Sequence, residues 1–152
     1  MTAHDERQTI KYTITRLLAR REQSLHELSL KLKQRSFNEE LVQEWLEKFS
    51  NADLQSELRF AEMLARSRIN KGAGELSLRN EFKQHKIPQD IVNFVLQELA
   101  PDWFELAIDA LNKKLAGAQI NSAKEQQKYY RFLLQRGFSA EQIRYAIQSL
   151  KE

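Results

Sequence analysis

The sequence predicts an all-α protein of three tandem three-helix repeats, packed into an elongated, curved, solenoid-like body. Three observations predict this fold class. Four glycines and two prolines occur in 152 residues, fewer than the turns of a sheet protein require. The dominant residues, Glu, Lys, Leu, Gln, Ala and Arg, all favour helices. A pattern of apolar and helix-starting residues also recurs three times, about fifty residues apart.

The recurring pattern is clearest around the last two helices of each repeat. Its copies are LKQRSFNEELVQEWLEKF (32–49), FKQHKIPQDIVNFVLQEL (82–99) and LLQRGFSAEQIRYAIQSL (133–150). Phe37, Ile87 and Phe138 align at separations of 50 and 51 residues. Each copy continues with a residue suited to a helix start: Asn38, Pro88 and Ser139. Because units of this size have marginal cores alone, neighbouring repeats are expected to pack together.

The elements of repeat 1, assigned to residues 9–50, follow a polar segment. Residues 1–8 lack an apolar stripe, and we expect a frayed, flexible leader there. An apolar stripe begins at Ile10 and predicts the first helix. Ser24 with Glu27 matches a capping box before the second helix. Trp45 lies on the wide apolar face of the third helix, where a core position is more typical than base stacking.

Repeats 2 and 3 are assigned to residues 51–100 and 101–152. The first helix of repeat 2 is predicted from about Gln55 to Asn70, with Phe60 in its apolar stripe. Gly72-Ala73-Gly74 then ends that helix as a hinge, because glycine adopts backbone angles closed to other residues. Repeat 3 begins with a helix after Pro101, and its second helix is predicted from about Ser122 to Arg136.

Several classes of function are excluded or disfavoured by composition. Cysteine is absent, so neither disulfides nor thiol chemistry is available. No apolar run approaches the roughly 20 residues of a membrane span, so we expect a cytoplasmic protein without membrane contact. The histidines share no metal-ligand spacing, and His85 is expected to have a surface polar role. Glu39 and Glu40 are adjacent carboxylates, but they open a helix, where acidic residues are common, so a catalytic pair is not expected there. We therefore expect a protein that is not an enzyme and that binds no metal or cofactor.

The basic residues are unevenly distributed, although the net charge is only +3. They concentrate on the first two helices of each repeat, and two interpretations remain open: a basic track that meets phosphates or an acidic protein surface, or ordinary solvated helix faces paired with glutamates. The candidates for contact are Arg66, Arg68, Lys71, Arg79, Lys83, Lys113, Lys114, Lys124, Lys128, Arg131 and Arg136. The residues assigned to structure are Phe37, Trp45, Phe60, Gly72, Gly74, Ile87 and Phe138.

Three blocks of residues stand out between about Ile14 and Leu150. The most specific is Arg59-Phe60-Ala61 with Arg66-Ser67-Arg68, Lys71-Gly72 and Gly74. The other two are Ser24, Glu27, Leu28, Lys31 and Leu32, and Arg131-Phe132-Leu133 with Arg136-Gly137-Phe138. In their residues and their order, these blocks resemble the RecX family of RecA regulators. The family usually has Tyr-Leu-Asp-Asp before the Arg-Phe-Ala block, whereas Leu54-Gln55-Ser56-Glu57 stands here. Any partner contact of that acidic pair is therefore not carried over.

The resemblance implies a cytoplasmic regulator that binds RecA, particularly its filament on single-stranded DNA, in the helical groove. Such binding would block filament growth or favour disassembly, and it would lower strand exchange, ATP hydrolysis and co-protease activity in the SOS response. A monomer that binds single-stranded DNA weakly by itself is expected. The alternative hypothesis is a stand-alone DNA-binding module, since three-helix units of this size resemble helix-turn-helix folds.

Overall fold

A computed structural model describes residues 2–151, and this part of the chain contains nine α-helices and no strand. They are α1 Ala3–Arg20, α2 Leu25–Gln34, α3 Glu39–Asn51, α4 Glu57–Asn70, α5 Glu75–Gln84, α6 Gln89–Leu99, α7 Trp103–Leu115, α8 Ala123–Arg136 and α9 Ala140–Ser149. Successive groups of three form repeats 1, 2 and 3. The predicted all-α repeat fold is confirmed.

Each repeat encloses its own apolar core. Repeat 1 buries residues such as Ile14 and Leu28, repeat 2 is centred on Phe60 and Phe82, and repeat 3 is centred on Phe138. Within each repeat the first helix packs on the third. The accessible surface of 9713 Å² exceeds the about 8,000 Å² of a compact monomer of this size. Three small cores in a row leave more surface exposed than one large core, which accounts for the elongated body.

Local chemistry fixes where the helices begin and turn. The Ser24 hydroxyl accepts from the Glu27 amide, and the Glu27 carboxylate accepts from the Ser24 amide, which completes the predicted capping box. The second helix of every repeat ends one or two residues before a residue with positive φ. These residues are Ser36 at 61°, Lys86 at 56° and Gly137 at 102°. The shared left-handed residue turns the chain in the same way in all three repeats.

The N-terminal segment differs from its prediction. Residues 3–8 belong to α1, although a frayed leader was expected there. A capping box between Thr2 and Asp5 starts this helix, and the Arg7 guanidinium reaches Glu44 on α3 at 3.1 Å. These polar contacts stabilise the first two turns of α1. The prediction considered only the apolar stripe, which residues 1–8 lack, and so did not include them.

The second helices of the three repeats meet end to end, in the order α8, α5, α2. At the first contact, which we call the glycine joint, two carbonyls ending α8 accept from amides starting α5. The Gly74 amide donates to the Arg136 carbonyl at 2.7 Å, and the Leu76 amide donates to the Gly137 carbonyl at 3.1 Å. Carbonyls at a helix C-terminus and amides at a helix N-terminus lack partners within their own helices, so the joint satisfies both sets.

The glycine joint leaves no room for a side chain at either glycine. A Cβ on Gly74 would lie 2.4 Å from the Gly137 carbonyl carbon, and one on Gly137 would lie 2.5 Å from Ser77 Cβ. Gly72, in contrast, has open space and a φ of +87°, so its role is to permit the turn. The Gly72-Ala73-Gly74 segment therefore ends α4 as predicted, but it forms a tight contact with repeat 3 and not a hinge.

Repeats 1 and 2 meet through side chains. Ser24, at the start of α2, shares a hydrogen bond of 2.8 Å with Nδ1 of His85, which ends α5. The His85 ring also lies 4.7 Å from the Phe60 ring. His85 therefore lies in the contact between two repeats, where the sequence predicted a surface polar role. The residues that contact His85 come from elements distant in the sequence, so the sequence pattern around His85 did not indicate this contact.

Candidate functional site

Three candidate arginines of repeat 2 are engaged by glutamates of the same repeat. Arg66 pairs with Glu62 at 3.1 Å and Arg79 with Glu75 at 2.7 Å, each one helical turn apart. Arg68 on α4 reaches Glu81 on α5 at 2.6 Å. The hydrogen bond to Glu81 raises the pKa of Arg68, although burial opposes the shift. These ion pairs stabilise the repeat, and the positive charge of the three arginines is largely balanced by the glutamates.

Four other candidates gather beside the glycine joint, and we call them the joint cations: Lys71, Lys113, Lys114 and Arg136. The Arg136 guanidinium donates to the Lys71 carbonyl at 3.2 Å. Arg136 Cζ and Lys114 Nζ lie 5.1 and 5.0 Å from the centroid of the Phe132 ring. Lys113 lines a groove of about 420 Å³ between the ends of α4 and α7, shared with Gly72 and Asp109. All four joint cations are exposed.

The joint cations combine positive charge with limited freedom. Among residues 2–151, no carboxylate forms an ion pair with any of them. Phe132 holds two of the cationic heads by cation–π contact, which lowers the entropy cost of ordering them on a partner. Uncompensated and partly ordered cations suit an anionic partner surface or phosphates.

The remaining candidates lie along α8 and α5. Lys124, Lys128 and Arg131 fall on one exposed face of α8, because their spacing of four and three residues returns to the same side of a helix. Lys83 is exposed on α5. In the part of the chain that the structure describes, none of these four forms an ion pair. The structure thus brings Lys71, Lys113, Lys114 and Arg136 together and spreads the others along the second helices.

The residues assigned to structure occupy two kinds of place. Phe60, Phe138 and Ile87 are buried, whereas Phe37 and Trp45 are partly buried against the core of repeat 1. Lys48 Nζ lies 4.5 Å from a ring centroid of Trp45, so the exposed part of that indole contacts a cation of its own helix. Gly72 and Gly74 form the turn and the joint described above.

A contact between repeats 1 and 2 was missed by sequence reasoning. Gln55, which is 1% exposed, donates to the Gln23 carbonyl at 3.0 Å and to the Glu57 carboxylate at 2.8 Å. Glu57 also accepts from the Leu25 amide at 2.9 Å. Both residues belong to the segment that replaces the acidic run usual in the resembled family. Gln55 lies next to the helix cap Ser56, where a polar side chain usually indicates a local contact. Nothing in the sequence spacing indicates that its partner is Gln23, 32 residues away.

Residues 2–151 contain neither a cluster of metal ligands nor a helix that could span a membrane. No group of three or more His, Asp or Glu side chains is arranged to hold a metal ion. None of the described helices has the length and apolarity needed to cross a membrane. The geometry instead defines an all-helical tandem-repeat protein with a cationic surface at the contact between repeats 2 and 3.

Comparison with known proteins identifies the family within that class. The model of the second three-helix domain of RecX matches residues 56–96, and that of the third matches residues 101–147. Regulatory protein RecX of Vibrio campbellii is 34% identical over 137 residues, covering 90% of this chain and 88% of the relative. Regulatory protein RecX of Legionella pneumophila is 39% identical over 136 residues, covering 90% and 91%. The chain belongs to the RecX family of regulatory proteins.

The fold agrees with solved structures of the family. The crystal structure of RecX from Lactobacillus salivarius superposes with a TM-score of 0.79, covering 97% of this chain and 98% of that chain. Its sequence is 22% identical, so the similarity concerns the fold. The resemblance drawn from the three sequence blocks is therefore confirmed. The structure also explains two of those blocks, since Gly74 and Gly137 touch each other in the glycine joint.

Proposed function

We propose that this protein regulates the RecA recombinase by stoichiometric, non-catalytic binding to the RecA filament on single-stranded DNA. It acts as a cytoplasmic monomer that lies in the filament groove near the DNA and stops filament growth. Strand exchange, ATP hydrolysis and co-protease activity fall in consequence. The observation that carries this proposal is the similarity to proteins named regulatory protein RecX along about nine-tenths of both chains.

The geometry supports binding to an extended partner that contains both protein and nucleic acid. Three repeats with end-to-end second helices give a long surface and not a closed pocket. The joint cations supply positive charge at the contact between repeats 2 and 3, where phosphates of a bound strand or carboxylates of a subunit would be attracted. The first and second helices carry most of this charge.

The alternative of a stand-alone helix-turn-helix module is disfavoured by the third helices. In such modules the last helix of the unit lies in the major groove and contacts base edges. Here α6 carries Asp90 and Glu98 without a cation, and α9 balances Glu141 with Arg144. On α3 four glutamates face a single lysine. Phosphates would repel the acidic helices, so duplex reading by the third helices is a poor fit.

The proposal is tested by adding the protein to RecA on single-stranded DNA. We expect ATP hydrolysis and strand exchange to slow at well below one copy per RecA subunit, because one bound copy affects the growth of a whole filament. An unchanged rate under conditions in which RecA filaments form would refute the proposal. The alternative module predicts the opposite pattern, with tight, salt-dependent binding to bare DNA in the absence of RecA.

A matched pair of variants tests the role of the joint cations. Lys114→Ala removes a joint cation, and Lys33→Ala removes another exposed lysine near the end of a helix, in repeat 1. We expect Lys114→Ala to weaken filament binding and to reduce its salt dependence by about one counterion, whereas Lys33→Ala binds nearly as the unmodified protein. If the two substitutions had equal effects, filament binding would depend on the total charge of the protein and not on the position of Lys114.

A further inference from the structure

Two aromatic side chains are exposed at the same position of successive repeats. Phe94 on α6 is 51% exposed, and Tyr145 on α9 is 49% exposed. Each stands seven residues after the aligned apolar residue of its repeat, Ile87 or Phe138. Aromatic side chains contribute most when their large apolar area is covered. Half-exposed aromatics repeated at one position therefore indicate a surface that a partner covers.

The first helices contribute apolar surface at matching positions. Phe104 on α7 packs edge to face on Tyr145, with ring centroids 5.2 Å apart and planes at 84°. Leu58 on α4 precedes Phe104 by the same 46 residues that separate Ala61 from Ala107, and it is 40% exposed. Phe104 fixes the orientation of the Tyr145 ring before any partner binds, which lowers the entropy cost of docking.

Acidic and neutral side chains lie one turn away from each of these aromatics. One turn before them stand Asp90 and Glu141, both exposed, and on the other side are the amides Gln97 and Gln148. Arg144 precedes Tyr145 and balances the charge of α9, whereas α6 has no cation, so the face around Phe94 repels phosphates and is a poor surface for nucleic acid. An aromatic anchor beside a carboxylate instead complements an apolar pocket with a basic rim on a protein.

Repeat 1 differs at the same position. Glu44 takes the place of the aromatic residue, and it pairs with Arg7 at 3.1 Å and with Lys48 at 3.5 Å. The aromatic anchors are therefore confined to repeats 2 and 3, which pack tightly against each other at the glycine joint. A tight contact between two repeats restricts changes in the separation and orientation of the two anchors.

We infer that Phe94 and Tyr145 are paired anchors that dock repeats 2 and 3 on the protein subunits of the RecA filament. This inference rests on the proposed function and assigns the protein contact to the third helices, while the cations of the first and second helices face the DNA. A filament displays the same surface on successive subunits. Two successive repeats with the same anchor fit such a repeated partner, because each anchor meets the same kind of pocket.

The test compares filament binding by Phe94→Ala and Tyr145→Ala, alone and combined, with binding to bare single-stranded DNA. We expect each substitution to weaken binding to RecA filaments by about tenfold or more, the usual effect of losing an aromatic anchor. Binding to bare DNA should stay unchanged. Tyr12→Ala serves as the matched control, because Tyr12 is an aromatic residue on α1 that is 63% exposed. It should bind filaments as the unmodified protein does.

Each outcome separates this inference from the proposed function. If the unmodified protein inhibits RecA and the double variant binds filaments equally well, the inference is overturned and the proposed function stands. An equal loss of bare-DNA binding, or an equal effect of Tyr12→Ala, would also overturn it. If the unmodified protein does not bind filaments, the proposed function fails. Because Tyr145→Ala removes a packed ring, thermal unfolding is measured for every variant, and Phe94→Ala alone decides the case should Tyr145→Ala unfold.

Discussion

Replacing Gly74 with alanine should destabilise the protein by about 2–5 kcal/mol, through a contact between repeats and not through backbone strain. The φ of Gly74 is −88°, an angle that alanine adopts freely. The added Cβ, however, would lie 2.4 Å from the Gly137 carbonyl carbon and 2.6 Å from the Phe138 amide nitrogen. Both are backbone atoms that cannot rotate away, so α8 must move from α5.

The magnitude follows from what that movement breaks. Two hydrogen bonds across the glycine joint are lost or stretched, at about 1 kcal/mol each. Strain from the inserted methyl group adds about 1–3 kcal/mol. Alanine also lowers the entropy of the unfolded chain, which offsets about 0.4–1 kcal/mol. The free energy of unfolding should therefore fall by about 2–5 kcal/mol.

Gly72→Ala provides the matched comparison. Gly72 is two residues away with a φ of +87°, and a Cβ there meets nothing within 4 Å. Left-handed strain of about 1–2 kcal/mol is the main cost, again offset by the unfolded chain. Urea unfolding followed by circular dichroism gives both values, and amide exchange at Leu76 reports the joint directly. If Gly74→Ala costs no more than Gly72→Ala, the steric account of the joint is wrong.

Three further substitutions test other parts of the structure. Arg68→Ala should lower the free energy of unfolding by about 1 kcal/mol, measured by urea unfolding. It should weaken RecA-filament binding less than Lys114→Ala does, because Arg68 is paired with Glu81. A larger loss of filament binding in Arg68→Ala than in Lys114→Ala would contradict the assigned site. Burial opposes ionisation of Glu27, but hydrogen bonds from Arg21 and the Ser24 amide outweigh it and lower the pKa of Glu27. The resulting stability is present above about pH 4.3, where unfolded glutamate is ionised, and is lost as the pH falls through the lowered folded pKa. Unfolding measured from pH 3 to 7 should therefore show a shallower acid loss in Glu27→Gln, and an unchanged slope would contradict this assignment. Phe138→Ala should cost about 3–5 kcal/mol, because the ring is fully buried in the core of repeat 3; a cost similar to that of the half-exposed Phe94→Ala, measured by urea unfolding, would contradict the assigned core.

Most basic residues of the candidate site could be identified from the sequence, but their arrangement could not. The candidate cations, Arg66, Arg68 and Lys71 among them, were identified by their concentration on the first two helices. The structure pairs Arg66 and Arg68 with glutamates and leaves Lys71 beside Arg136, 65 residues away. Charge along the sequence cannot distinguish a paired arginine from an unpaired lysine when the pairing depends on how two helices pack.

The sequence by itself determined the features that depend on neighbours within a few residues or on a repeated spacing. Helix composition, the Ser24 capping box and the alignment of Phe37, Ile87 and Phe138 established an all-α protein of three repeats. Only the tertiary structure decided that Gly74 meets Gly137 and that Ser24 meets His85. Periodicity specifies which face of a helix is buried, whereas contacts between repeats depend on the angle at which one core sits on the next. That angle is set by side chains and carbonyls about 60 residues apart, which no local pattern connects.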